Sequence, residues 1–367
     1  MVLFQPGRLG DIELPNRLVM APLARARSLE PNREPPQRVV TYYSQRATAG
    51  LIISESGHVA ADSVSRPGGS GMHTDGQMLA WRKVTDAVHD AGGRIFQQLF
   101  HLGRKAHQSR LPGNAVPIAP SAVAARGEVP TPDGPRPWPV PRELAPAEIP
   151  PLVETFRRAI SLSKAAGFDG VEIHAANGFL IDQFLRDGTN RRTDAYGGTI
   201  VNRSRFLLEI VDDAIAIFGR GRVGVRISPH FVQDNIDDSN PAALFGYVAE
   251  QLDARGIAYL HLIESDAVPL KQRLAPALRR RFRGSLILAE SYTRESATAA
   301  VAEGRADFIA FGALFIANPD LVERFRRRAA LNPPDLTTFY NGGEQGYIDY
   351  PFLAQAETEI CEPGEVR

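Results

Sequence analysis

Short runs of β-branched and apolar residues recur along the chain, each followed by a turn and then a longer stretch with helical spacing. Runs that read as buried parallel strands fall at residues 17–21, 50–54, 94–99 and 170–174, and again at 223–227, 259–263, 285–289 and 308–311. Between them, apolar positions three to four apart predict helices over 77–91, 149–166, 202–217, 242–255, 293–302 and 320–330. Strands alternating with helices indicate βαβ units and a parallel sheet. Eight strands make a closed α/β barrel, the (β/α)8 or TIM barrel, the economical arrangement. An open doubly wound sheet has the same alternation and is the competing topology.

Local signals sharpen this outline. Thr293 with Glu295 and Ser296 can cap the helix that starts there, and Gly167, Gly256 and Gly304 stand where a helix must stop before the next strand. Leu9-Gly10-Asp11-Ile12 reads as an N-terminal hairpin turn closing the bottom of the barrel. Two segments break the rhythm. Residues 107–146, after the third strand, are rich in Pro, Gly and Ala and include Arg136-Pro137-Trp138-Pro139-Val140-Pro141, as expected of a lid or functional excursion. The tail over 333–367 is aromatic and turn-rich, with Phe339-Tyr340-Asn341-Gly342-Gly343 in its first half. No repeat or linker divides the chain, so residues 1–367 read as one domain.

Composition narrows the function classes. Lys plus Arg and Asp plus Glu number 42 each, so neither nucleic acid nor an anionic membrane is expected as partner. Cys361 is the single cysteine, which excludes an intrachain disulfide and a cysteine-built metal cluster and suits a reducing compartment. His101 and His107 lack partners at zinc-like spacing, so no metal is expected. No basic start leads into an apolar stretch, and no apolar run nears the ~20 residues of a membrane helix. The expectation is a cytoplasmic protein, monomer or homodimer, acting on a small molecule.

In a TIM barrel, chemistry gathers at the C-terminal strand ends. Gln98 lies near the end of the third strand, His174 ends the fourth with Asn177 three residues on, and Arg226 sits in the fifth. A helical turn after the fourth strand would put His174 and Asn177 on one side. Two converging donors can polarise a carbonyl or hold an oxyanion. Singly, such a histidine reads as structural and such an arginine as a surface ion pair; four at strand ends indicate a site. Gly219-Arg220-Gly221-Arg222-Val223-Gly224 matches a dinucleotide fingerprint but precedes its strand, so it reads as a helix-to-strand turn.

Longer motifs carry a family resemblance. His174-Ala175-Ala176-Asn177-Gly178-Phe179-Leu180-Ile181-Asp182-Gln183-Phe184-Leu185, Asn190-Arg191-Arg192-Thr193-Asp194-Ala195-Tyr196-Gly197-Gly198, Asn16-Arg17-Leu18-Val19-Met20-Ala21-Pro22-Leu23, Gln98-Leu99-Phe100-His101-Leu102-Gly103-Arg104 and Phe315-Ile316-Ala317-Asn318-Pro319-Asp320-Leu321 resemble the Old Yellow Enzyme family, in order along the whole chain. The resemblance implies an FMN across the barrel mouth that takes hydride from NAD(P)H and passes it to an activated alkene. It implies Pro22, Leu23, Ala24, Gly57, Gln98 and Arg226 around the flavin ring, and Ser291, Gly312 and Ala313 at its phosphate. His174 and Asn177 would hold the substrate's carbonyl or nitro oxygen, with Phe100, Phe179 and Tyr347 bordering the substrate.

The chain also departs from the family pattern. Phe179 stands where the family has a tyrosine acid, Ala24 where Thr or Cys is common near the flavin, and Phe100 where Trp is common. At the phosphate end, Ala313 replaces an arginine and Glu290-Ser291-Tyr292-Thr293 replaces a glycine-rich loop. Two alternatives to an alkene reductase follow: a non-redox or flavin-free isomerase or cyclase with His174 as acid–base, and a non-catalytic binding protein.

Overall fold

The computed structural model of the protein describes residues 1–64, 66–265 and 268–353; Cys361 and the rest of the tail lie outside the described residues. Eight parallel strands are β1 (Leu18–Met20), β2 (Leu51–Ile53), β3 (Ile95–Phe100), β4 (Gly170–Ala175), β5 (Val223–Ile227), β6 (Tyr259–Ile263), β7 (Ser285–Ala289) and β8 (Phe308–Phe311). Each pairs with the next, and β8 pairs with β1, so the sheet closes and the open topology is excluded.

Alternation along each strand divides the core. Leu18, Met20, Ile52, Ile173, Val225 and Leu286 belong to the large cluster between strands and helices. Val19, Leu51, Ile53, Phe96, Ile287 and Phe308 fill the lower lumen instead, together with Leu9, Ile12 and Leu14 of the N-terminal hairpin (Gly7–Leu9 with Ile12–Leu14). That hairpin is a plug: Asp11 N donates to Gly221 O at 3.2 Å. Gly10 has φ 55°, and a β-carbon there would fall 2.2 Å from the same carbonyl, so only glycine fits.

The expected helices appear as α2 (Asp75–Asp90), α3 (Ile149–Ala165), α5 (Ile200–Phe218), α6 (Pro241–Arg255), α8 (Arg294–Ala302) and α10 (Leu321–Arg327). Thr293 and Ser296 form a reciprocal capping box on α8, and Gly167, Gly256 and Gly304 all take positive φ. The last helix is shorter than its apolar spacing indicated, because Arg328 turns left-handed (φ 59°). Four short helices were not anticipated: α1 (Gln37–Ser44), α4 (Leu180–Leu185), α7 (Ala275–Arg281) and α9 (Ala313–Ala317). Segments this short carry too few turns to reveal a period. No helix among the described residues is long and apolar enough to cross a membrane.

The excursion after β3 is built from 3-10 turns, a short parallel pairing of Ile118–Ala119 with Arg142–Glu143, and an antiparallel hairpin, Glu128–Thr131 with Gly134–Pro137. The tail returns across the barrel mouth. Arg25 donates to the carbonyls of Phe339 (3.0 Å) and Gly346 (2.8 Å), and Arg27 to those of Thr338 (2.6 Å) and Phe339 (2.9 Å).

Candidate active site

Above the apolar floor the inward positions turn polar. On β3 they run Phe96, Gln98, Phe100; on β4, Glu172 and His174; on β5, Gly224 and Arg226; on β6, Tyr259 and His261. The register sets Glu172 beside Gln98, His174 beside Arg226, and Arg226 beside His261. A β-carbon on Gly224 would lie 2.1 Å from the Tyr259 ring, so glycine makes the room that ring occupies.

Glu172 organises this layer from below. It is fully buried, accepts from Gln98 Nε2 at 2.6 Å, and its other oxygen lies 2.8 Å from His261 Nδ1. Burial alone would raise its pKa, but His261, Arg226 and Gln98 outweigh burial and hold it below the usual carboxylate range. Burial lowers the pKa of His261, so the neutral ring donates from Nδ1 to an ionised Glu172. Arg226 faces the same carboxylate; its Nε is buried without a hydrogen-bond partner, and its side chain is half-buried at the cavity surface. Ser56 Oγ donates to Gln98 Oε1.

A cavity of about 1100 Å³ opens over this layer. Pro22, Leu23, Ala24, Gln98, Phe100, His174, Asn177, Phe179 and Arg226 all line it. Nine of the anticipated residues therefore meet at one mouth. Phe100 and Phe179 pack edge to face at 5.0 Å, and Phe179 meets the His174 ring at 5.0 Å and 81°. Burial, then Arg226, His261 and Lys105, push His174 well below the ordinary histidine range, so its ring is neutral near pH 7. His174 Nδ1 has no partner in the protein. Asn177 does not lie on a helical turn. It takes the left-handed region (φ 58°) in a tight turn before α4, a conformation asparagine tolerates. Its backbone N donates to Ser228 Oγ at 2.7 Å.

Other anticipated residues sit elsewhere. Tyr347 does not border the cavity: it is 0% exposed, stacked on Tyr42 at 4.1 Å, with the Arg25 and Arg27 guanidinium groups 5.0 and 4.9 Å from its ring centroid. The clamp on the tail carbonyls buries it, and Tyr340 to Gly343 reach the mouth instead. Gly57 is also off the cavity, because a β-carbon there would meet Gln97 and Met72; its neighbour Ser56 lines the site. Ser291, Gly312 and Ala313 lie outside the cavity lining, with Ser291 exposed in the loop after β7 and Ala313 exposed at the start of α9. Leu23 separates Gly312 from it, 3.3 Å from where a Gly312 β-carbon would stand. Glu290 (φ 93°) and Ser291 (φ 61°) hold a backbone conformation that favours glycine.

Sequence reasoning missed Glu172, Tyr259 and His261. Their signal was present, since each stands two residues from another inward position on its strand. It also missed Lys105, a cavity residue whose Nζ pairs with Asp234 at 2.6 Å and sits 5.5 Å from the Phe179 ring centroid.

Known proteins resemble this one along nearly its full length. The family described as NADH:flavin oxidoreductase / NADH oxidase matches residues 2–332. A putative 12-oxophytodienoate reductase 2 from Oryza sativa subsp. japonica is 40% identical over 97% of this chain and 96% of its own. A probable flavin mononucleotide-dependent alkene reductase from Leishmania infantum is 42% identical over 96% and 98%. Among solved structures, morphinone reductase in complex with tetrahydroNAD superposes with a TM-score of 0.92 and 47% identity, covering 96% of this chain and 98% of that one. The old yellow enzyme homologue from Zymomonas mobilis gives 0.92 and 42%, covering 96% and 100%.

Proposed function

Because the chain belongs to the NADH:flavin oxidoreductase / NADH oxidase family, in its Old Yellow Enzyme branch, we propose that it is an FMN-dependent, NAD(P)H-linked reductase of an activated alkene or enone. The observation that carries this reading is Arg226. A half-buried cation with an unpartnered Nε, between His174 and His261 in register at the floor of a wide cavity that Gln98 also lines, suits the electron-rich edge of a flavin ring. The ring end therefore fits the cofactor, with Pro22, Leu23, Ala24, Gln98 and Arg226 to hold it. The phosphate end has Ser291, Gly312 and Ala313 at exposed or half-exposed positions, with Glu290 next to Ser291. Bound there, the flavin supplies the hydride that ends on the alkene.

The chain's own residues do the rest. His174 is neutral and donates one hydrogen bond from its imidazole to the substrate's carbonyl oxygen, and the Asn177 side-chain amide donates a second. Together they draw electron density from the double bond. Phe100 and Phe179 wall the reacting carbons from water. Phe179 has no proton to give, and Lys105, a cavity-lining ammonium whose Nζ lies 5.5 Å from the Phe179 ring centroid, takes that role. Its pairing with Asp234 orients the amine beside Phe179.

The rice, Leishmania and morphinone relatives are reductases by name, and no contact in the cavity favours an isomerase or a non-catalytic binding protein. The test is a visible spectrum of pure protein titrated with FMN, followed by NADPH oxidation with an enone. Bound flavin and NADPH consumption matching product support the reading. Failure to gain flavin absorbance, or product formed without NAD(P)H, overturns it.

A further inference from the structure

Beneath the cavity floor a carboxylate is sealed inside the barrel. Glu172 stands on β4, in register with Gln98 on β3 and Gly224 on β5, two residues before His174. It is fully buried and does not line the cavity, yet its neighbours keep it ionised. Gln98 Nε2 donates to one oxygen at 2.6 Å, and His261 Nδ1 to the other at 2.8 Å. A carboxylate only accepts, so Glu172 makes Gln98 turn its nitrogen, not its oxygen, towards β4. Ser56 Oγ donates to the opposite atom, Gln98 Oε1. The amide that lines the cavity is thereby held in one orientation.

Few charges face Arg226. His174 on β4 and His261 on β6 are neutral because burial depresses both, and burial keeps the Tyr259 hydroxyl on β6 protonated. Lys105, which acts on His174, is paired with Asp234 at 2.6 Å. Two carboxylates favour the charged guanidinium: Glu172 from the lumen and Glu290 from the loop after β7. Glu290 is exposed, so water and salt screen it, whereas Glu172 is shut off from both.

Two-electron reduction places negative charge along one edge of a flavin ring, and charges near that edge tune how readily the ring accepts electrons. Arg226 alone would favour the reduced ring, and a fixed negative charge behind it cancels part of that pull. We propose that Glu172 is a positioning residue that sets the reduction potential of the flavin: it aims Gln98 at the ring and offsets Arg226, keeping the reduced cofactor a strong hydride donor. Glu290 adds a smaller, salt-screened contribution of the same sign. This rests on the flavin-dependent reading of the site.

The measurement is the two-electron potential of bound FMN, by titration against a reference dye, in wild type, Glu172→Gln, Glu172→Asp and Glu290→Gln. Glutamine keeps the shape and can still accept from Gln98 but carries no charge. Glu172→Gln should favour the reduced ring about tenfold or more, a rise of about 30 mV or more that survives high salt. Glu172→Asp keeps the charge and should stay within about threefold of wild type, roughly 15 mV. Glu290→Gln should rise about twofold at low salt, roughly 9 mV, and by less at high salt. Stopped-flow gives a second readout: Glu172→Gln should be reduced faster by NAD(P)H and reoxidised more slowly by an enone, whereas a merely distorted site slows both steps. An unchanged potential in Glu172→Gln, equal shifts in the glutamine and aspartate variants, or a slowing of both half-reactions overturns the proposal. If Glu172→Gln does not hold FMN, the other two variants decide. A shifted Glu172→Asp or an unshifted Glu290→Gln then overturns the proposal, and the reverse pair supports it. Wild type that binds no flavin overturns the flavin reading and this inference together, while bound flavin with unmoved potentials overturns this inference alone.

Discussion

Replacing Glu290 by glycine separates strain from charge at a single position. Glu290 holds φ 93°, where a β-carbon costs about 1–3 kcal/mol. Glycine removes that cost but gives back roughly 0.5–1 kcal/mol through the freedom of the unfolded chain. The net expectation is a stabilisation of about 0–2 kcal/mol, worth up to a few degrees in Tm. The charge acts separately on the cofactor. Glu290 is exposed, so the water-like limit applies, and two unit charges about 6 Å apart then interact by about 0.7 kcal/mol. A phosphate carries about −1.5 to −2, which makes the repulsion roughly 1–1.4 kcal/mol, or five- to tenfold in affinity. Glu290 also favours the charged form of Arg226, so its loss alters the grip on the flavin ring as well. Riboflavin has the ring without the phosphate, so dividing the FMN affinity by the riboflavin affinity cancels that effect. Fluorescence titration of wild type and Glu290→Gly with both flavins should show the FMN-to-riboflavin preference rising five- to tenfold. An unchanged ratio refutes the electrostatic argument, and a fall in Tm refutes the strain argument.

Other outcomes follow from the same geometry. Lys105→Met should slow enone reduction by about 10²-fold or more while leaving FMN affinity intact, as measured by product formation alongside flavin titration. Phe179→Tyr in the Lys105→Met background should recover much of that rate, and no recovery would place the proton source elsewhere. His174→Ala should raise KM for the enone and lower kcat/KM by about 10²-fold, one oxyanion donor's worth, in steady-state assays. His58, His73, His174 and His261 all have pKa values lowered by burial first, so the unfolded chain binds more protons than the native one as pH falls below about 6.5. Native stability is therefore full above that pH and declines below it, by up to about 1.4 kcal/mol per pH unit for each histidine kept neutral. Urea midpoints from pH 7.5 to 5 check this.

The barrel was legible because its strands are short, β-branched and separated by helices with clear periods. The capping box at Thr293 and the positive-φ glycines at 167, 256 and 304 were legible because cap chemistry is local. What failed was non-local. Nothing near Tyr347 in sequence announces that Arg25 and Arg27, more than 300 residues earlier, clamp the tail and bury its ring. Asn177 was expected on a helix because helical spacing and a tight left-handed turn both place residues 174 and 177 near each other. Glu172 escaped notice because a lone acid in an apolar strand looks unremarkable until the register sets it beside Gln98 and near His261.

The two ends of the flavin site differ in what the fold requires of them. Gln98, Glu172, Arg226 and His261 are neighbours in register within the lumen, and removing Arg226 or His261 would leave a buried carboxylate short of compensation, at a cost of several kcal/mol. The ring end is therefore held by folding as well as by any ligand. Glu290, Ser291 and Ala313 are exposed and pack against no core, so stability places little constraint on them. Stability in fact opposes Glu290 and Ser291, whose backbone would be more comfortable as glycine. A strained acidic residue at an unconstrained loop tip has no structural reason to be there. Its charge bears on the ligand instead, lowering the affinity for an anionic cofactor tail by the repulsion of about 1–1.4 kcal/mol that a charge some 6 Å away exerts through water.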